Sequence, residues 1–434
     1  MSSATPTSTF WRPWTPVAAA TDPVVMVEGR GTRVRDADGT WYVDGISGMM
    51  NASCGHGHPR LLQAAARQLE QLAHFELSAF THPAAEALAA GLARLLPGDL
   101  GETFLVNSGS EATEAAMRIV SQYWRNMGAP RDRVITFQAG YHGSTALAQK
   151  LSGLPSNASD WAAPFPIDHV RLPVPPRELR SAGGAEALAG AFATALAAGP
   201  PAAAVMVEPL LNVGGGIVLP AGFLTELRRL CDQYGTLLVL DEVFCGFGRT
   251  GRMFGFDHDG VTPDLVTMSK GISGGYVPLA AVSTTPEIKG SFRHEPMIGG
   301  LRYGHTTSGH AVACAVAAET LEVIADEGLV GNAKVRGSEL LSGLRELEDH
   351  PSVIDVRGLG LVATIEVDEQ ETASAVVAEA RRGGLIIRSQ GTAIMVMPPL
   401  ITTAADVAET VQLMAQALAR VTSSADHRLH AVHQ

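Results

Sequence analysis

Lysine is nearly absent from this 434-residue chain, occurring only as Lys150, Lys270, Lys289 and Lys334. No dense basic run compensates, and the formal net charge of -12 argues against a nucleic-acid surface. Cysteine is equally scarce. Cys54, Cys231, Cys245 and Cys314 show neither CxxC nor metal-ligand spacing, so reduced thiols are expected and a structural metal is not. Among the 14 histidines, His56 and His58 in Gly55-His-Gly-His-Pro59 read as turn chemistry, with no third ligand at a recognised offset. No apolar run approaches the ~18 residues of a membrane span. The opening Met1-Ser-Ser-Ala-Thr-Pro6 lacks the basic-then-apolar form of a secretory leader. These absences point to the cytoplasm, to no membrane, and to a small molecule as partner.

What the chain has is apolar content, 46%, over a length that exceeds one typical core. Short β-rich runs in residues 24 to 43, broken at Gly29-Arg-Gly31 and Asp38-Gly39, predict a small antiparallel meander. From Pro59 onward, helical runs (59 to 73, 83 to 96, 109 to 127, 220 to 234) alternate with short apolar strands (103 to 106, 133 to 137, 202 to 207, 236 to 241, 263 to 268). That alternation predicts an α/β domain, a mostly parallel sheet covered by helices. A long Ala-rich helix is expected from about 308 to 326. Three strand-like runs within 352 to 397, a helix over about 371 to 382 and a last helix over about 404 to 419 predict a smaller α+β domain. The expected division is 1–58 (meander, part of the small domain), 59–327 (large domain) and 328–434 (small domain). The first nine residues and the tail from Val421 are polar and aperiodic, and are expected to be mobile.

Two of the apolar strands end in chemistry. Thr236-Leu-Leu-Val-Leu-Asp241 ends in a carboxylate, and Asp264-Leu-Val-Thr-Met-Ser-Lys270 delivers a lysine into Gly271-Ile-Ser-Gly-Gly275. Open α/β sheets bind ligands outside the carboxyl ends of their strands. Pyridoxal phosphate needs both groups: its aldehyde condenses with a lysine amine, and an anion keeps its ring nitrogen protonated as part of an electron sink. Taken alone, Asp241 and Lys270 also fit a structural ion pair. Phe104-Leu-Val-Asn107-Ser108-Gly109-Ser110-Glu111 forms a strand, a turn and a helix start, a receptor for a dianion or an ordinary cap. Ile135-Thr-Phe-Gln-Ala-Gly140-Tyr141-His142-Gly143 ends a further strand; Tyr141 there is suited to stacking on a pyridine ring or to a place on the rim. Val243 follows Asp241 at the spacing that would pack on the ring's other face.

Asn107-Ser-Gly-Ser-Glu-Ala112, Gly140-Tyr-His-Gly143, Asp241-Glu-Val-Phe-Cys-Gly-Phe-Gly-Arg-Thr-Gly251, Ser269-Lys-Gly271 with Gly275-Tyr-Val-Pro-Leu279, and Gly304-His-Thr-Thr-Ser-Gly-His310 together resemble the class III aminotransferases. These are fold type I pyridoxal-phosphate enzymes, and the resemblance runs in order from about residue 10 to 420. It implies that Lys270 bonds the cofactor, pyridoxal 5′-phosphate (PLP, or PMP in its amino form), and moves the proton, with Asp241 on the ring nitrogen. Ser108, Gly109 and Ser110 would hold the phosphate, and Tyr141 and Val243 the ring faces, with His142 and Glu208 beside the cofactor. Thr306 would reach the phosphate of a neighbouring subunit, which makes a homodimer with shared sites the minimal unit, alone or within a tetramer. Arg388, in Leu385-Ile-Ile-Arg-Ser-Gln-Gly391, looks like the family's mobile arginine, a forked partner for the carboxylate of a 2-oxo acid.

The amino donor is less defined. Phe10-Trp-Arg-Pro-Trp14-Thr15 is similar to the opening of diaminopelargonate synthases and makes Trp14 a pocket candidate. However, Met49-Met50 replaces that subfamily's tryptophan pair, and Ser144 stands where it has aspartate. Trp14, Met49 and Met50 suggest an adaptable apolar pocket. The expected reaction is transfer of a terminal amino group from an ω-amino acid or primary amine to a 2-oxo acid such as pyruvate, by a ping-pong mechanism. The alternatives are a diaminopelargonate-type transamination, or a decarboxylation or amino shift on the same cofactor. A nicotinamide enzyme is disfavoured because Gly214-Gly-Gly216 lacks the G-x-G-x-x-G pattern between strand and helix.

Overall fold

A computed structural model describes residues 9–15, 23–157 and 165–432. Its centre is a seven-stranded sheet in the order Glu102–Val106, Ala280–Thr284, Leu265–Met268, Leu237–Asp241, Ala204–Val207, Val134–Phe137, Ile167–Val170. Ala280–Thr284 runs antiparallel to both its neighbours and the remaining strands are parallel. The central strands are buried along their whole length. They therefore appear in the sequence as continuous apolar runs rather than alternating ones. Helices cover both faces. On one, Phe137 of the sheet packs edge-on against Phe192 and tilted against Phe223, with ring centroids 4.9 and 5.9 Å apart. These rings belong to helices Gly184–Ala197 and Phe223–Tyr234.

The expected meander is present as Met26–Arg30, Arg33–Asp36 and Trp41–Asp44, paired antiparallel. A short strand from far along the chain, Leu385–Ile386, pairs parallel to the last of them. A third sheet joins Val353–Gly358, Ala363–Val367, Ala393–Val396 and Arg388–Gln390. Helices Leu329–Arg345, Gln370–Arg382 and Ala404–Val432 accompany it. The last helix extends well past residue 419, where the sequence reading ends it. No glycine or proline interrupts the chain from Ala404 to Val432, so nothing forces a stop. Residues 1–8 and 433–434, expected to be mobile, lie outside the described residues. Among the described residues no helix is long and apolar enough to cross a membrane.

Candidate active site

The parallel strands deliver their C-terminal ends to one crevice. Val106 leads through Asn107 and Ser108 into helix Gly109–Asn126, Val207 leads to Glu208, Leu237–Asp241 ends on its carboxylate, and Leu265–Met268 leads to Lys270. A cavity of about 180 Å³ is bounded by Ser108, Gly109, Ser110, Tyr141, His142, Glu208, Asp241, Val243 and Lys270, with Asn212 and Phe244 among its other walls. A larger hollow of about 630 Å³ beside Arg180 and His258 is lined by no lysine and shares no lining residue with this cavity.

Asp241 is buried and held from three sides. Its Oδ2 lies 2.7 Å from His142 Nδ1, and its Oδ1 accepts from Thr267 Oγ1 and from the Val243 backbone N–H, each at 3.1 Å. His142 Nε2 meets Thr136 Oγ1 at 3.1 Å. Burial opposes a charge on His142, but the Asp241 hydrogen bond and charge outweigh it and raise the imidazole pKa. The contact fixes the carboxylate in direction, and the carboxylate in turn favours the protonated imidazole. Glu208 accepts from Tyr141 N–H at 2.9 Å and Asn212 N–H at 3.3 Å. Burial, with Asp241 adding to it against the charge of His142, pushes Glu208 up to about 7.

Lys270 has φ 44, in the left-handed region that a residue with a Cβ rarely occupies. Such strain persists only where the surroundings impose it, and it concentrates at functional sites. The amine lies 5.5 Å above the Phe244 ring. Burial lowers its pKa, opposed by Asp241 and Glu208. A lysine that gives up its proton readily is what a nucleophile or a proton carrier requires.

At the other end, Ser108 caps helix Gly109–Asn126 by accepting from Glu111 N–H at 3.2 Å. A Cβ on Gly109 would come within 3.0 Å of Val243, and one on Gly143, at φ +131, within 2.9 Å of the Ser110 backbone. Both glycines therefore clear space where free N–H groups and the positive end of a helix face an anion. An amine, a fixed carboxylate and an anion cradle within one small cavity are the donor set that pyridoxal phosphate needs. The residues present fit it.

Other sequence candidates lie outside the lining of the cavity. Trp14, 65% exposed, and Thr306, also exposed, line no part of the cavity. Met50 is buried and its sulfur takes the Asn212 amide N–H at 3.0 Å, whereas Met49 is 54% exposed. Arg388 is half-buried, with Met49 Sδ at 3.9 Å from Nη1. Among the described residues no carboxylate lies within ion-pair distance of it. Asn212, Thr136 and Thr267 are functional neighbours that sequence reasoning does not single out. Asn212 meets Met50, and Thr267 meets Asp241, across stretches of chain that no local pattern displays, whereas Thr136 meets the nearby His142 only through the fold of the intervening loop.

The family described as "Aminotransferase class-III" matches residues 16–418. The adenosylmethionine-8-amino-7-oxononanoate aminotransferase of Nitratidesulfovibrio vulgaris is 35% identical over 441 residues, covering 95% of this chain and 80% of that protein. The beta-alanine–pyruvate aminotransferase of Pseudomonas aeruginosa is 32% identical over 369 residues, 82% of each. Among solved structures, an omega transaminase of Pseudomonas jessenii in complex with PMP superposes with a TM-score of 0.90 at 32% identity, covering 95% of this chain and 96% of that one.

Proposed function

Because the chain belongs to the class-III aminotransferase family, a pyridoxal-phosphate family of fold type I, we propose that it moves a terminal amino group from an ω-amino acid or primary amine to a 2-oxo acid, pyruvate among them. The half-buried Arg388 guanidinium carries this reading. It bears a charge with no carboxylate partner among the described residues, and burial lowers its pKa. A partly desolvated fork of N–H donors without an anion suits a substrate carboxylate.

The bound cofactor supplies an aldehyde that captures an amine and a protonated ring that stores an electron pair. Asp241 holds the proton at the ring nitrogen, with its carboxylate aimed by His142 and Thr267. Ser108, Gly109 and Ser110 take the phosphate, and Tyr141 and Val243 flank the ring. Lys270 Nζ, its pKa lowered by burial, removes the proton from the amine-bearing carbon of the substrate and later returns one. Arg388 binds the acceptor's carboxylate and withdraws when an uncharged amine enters, so donor and acceptor use one site in turn. Thr306 serves a neighbouring subunit, which makes a homodimer the working unit. The cytoplasm is the proposed compartment, a reading that rests on the four buried free cysteines.

A second reading, diaminopelargonate-type transamination, is supported by the similarity to the Nitratidesulfovibrio vulgaris enzyme and to its subfamily's opening at Phe10–Thr15. Ser144 and Met49-Met50 weigh against it. The test is a panel of ω-amino acids and primary amines with pyruvate, scored for alanine, run beside adenosylmethionine with 8-amino-7-oxononanoate. Alanine formation from several ω-amines is expected, and turnover confined to adenosylmethionine would overturn the proposal. Borohydride should fix the cofactor on Lys270; attachment at Lys150, Lys289 or Lys334 would contradict the assignment.

A further inference from the structure

The contact between Arg388 and Met49 is an unusual one for a half-buried cation. A guanidinium offers five N–H donors, and partial burial removes water that would otherwise satisfy them. The acceptor it meets is a thioether, which is weak. A carboxylate accepts far more strongly because the hydrogen bonds are charge-assisted. The pair therefore holds the guanidinium in place without competing effectively against a substrate anion.

The position of Met49 is built rather than incidental. It belongs to the turn Ser47–Met50, in which Ser47 (φ 50), Gly48 (φ 65) and Met50 (φ 62) all occupy the left-handed region. Two of these carry a Cβ, so the turn is strained and must be held from outside. Ser47 Oγ donates to Met397 O at 2.6 Å and accepts from Arg249 Nη2 at 3.1 Å. Arg249 is buried and also donates to Leu361 O and Pro398 O. Asp44 Oδ2 takes the Gly48 N–H at 2.7 Å, and Asn51 Oδ1 takes the Met49 N–H at 3.1 Å. This clamp leaves the Met49 side chain largely exposed yet directed at Arg388.

We propose that Met49 determines specificity by serving as the resting partner of Arg388, so that the acceptor strength at position 49 sets how readily the guanidinium passes to a substrate carboxylate. The inference rests on the reading of Arg388 as the carboxylate receptor and adds the residue that tunes it. A stronger acceptor at position 49 retains the arginine and disfavours 2-oxo acids. A side chain with no acceptor frees it and favours them.

The test compares Met49→Gln, close in length and with an amide oxygen, against Met49→Leu, close in bulk and with no acceptor. The apparent affinity for pyruvate and that for an amine lacking any carboxylate are measured in separate half-reactions by stopped flow, and their ratio is taken. Met49→Gln should shift the ratio about fivefold against pyruvate, the scale of one net hydrogen bond. Met49→Leu should shift it about twofold or more the other way, and both shifts should vanish in an Arg388→Leu background. Shifts of the same sign, no shift, or shifts that persist without Arg388 would overturn the role of Met49. Arg388→Leu alone provides the distinction: an equal loss in both half-reactions sinks the carboxylate reading and this inference with it. A loss confined to pyruvate, with neutral Met49 variants, sinks only this inference.

Discussion

Glu208 and Glu242 are carboxyl groups that folding makes reluctant to ionise, the first pushed up to about 7 and the second to about 8, in both cases chiefly by burial. For Glu208 the folded-state value lies above the ordinary 4.5, so between the two values the folded chain binds more protons than the unfolded one. Its contribution to stability is fully present below about pH 4.5 and is lost as pH rises through about 7. The amount at stake is on the order of 3 kcal/mol. Cofactor-free Glu208→Gln should therefore melt with a flatter pH dependence than the parent between about pH 5 and about pH 8. Glu242 titrates in the same direction, so the single variant removes only part of the slope. Parallel melting curves for parent and variant would show that Glu208 is ionised in the folded protein throughout. The same desolvation acts with the opposite sign on Lys270, whose amine loses its proton more easily.

The anion cradle is a property of two elements meeting, the start of helix Gly109–Asn126 and the loop after strand Val134–Phe137. Gly143 allows that meeting, because a Cβ there would strike Ser110 and its φ of +131 disfavours any side chain. Gly128 also has a positive φ, +71, but faces nothing within 4 Å. Gly143→Ala should thus weaken cofactor retention tenfold or more, about 1.4 kcal/mol, while Gly128→Ala carries only backbone strain. Absorbance of bound cofactor after gel filtration reads the difference, and equal retention in the two variants would refute the close-approach argument. Elements of this kind were legible where a strand ran straight into its motif, as at Val106, Asp241 and Lys270. Helix Gly184–Ala197 was not, because its many alanines blur the contrast between core and solvent faces that helical periodicity needs. Strand Ile167–Val170 sits at a sheet edge with only its last residue buried, so its apolar signal is weak. The Asp241 network was illegible for another reason: Thr267 reaches the carboxylate from the neighbouring strand, and His142 from the loop after Val134–Phe137, one strand further across the sheet, so the contacts depend on strand order.

At the scale of the whole molecule, the loop carrying Thr306 reaches the start of helix Gly109–Asn126 through Thr307, which donates to Asn107 Oδ1 at 3.0 Å, yet Thr306 itself lines no part of the cavity of its own chain. Thr306 is exposed, and its backbone carbonyl is held by His74 Nε2 at 2.8 Å. Nearby in sequence to His74, Phe75 and Phe80 form an edge-to-face pair at 5.0 Å yet are 50% and 58% exposed. Exposed aromatic pairs next to a site loop suit burial against another chain, and a twofold pair would let each chain serve the other's phosphate. Subunits carrying Lys270→Ala and subunits carrying Thr306→Ala should then complement each other. In a mixed dimer one site collects both defects and the other collects neither, because the intact lysine of one chain meets the intact threonine of its neighbour. Random exchange of equal amounts should restore about a quarter of the wild-type sites, since half the dimers are mixed and each has one sound site. Exchange confirmed by native mass spectrometry, with activity no higher than the average of the parents, would show that each chain completes its own site.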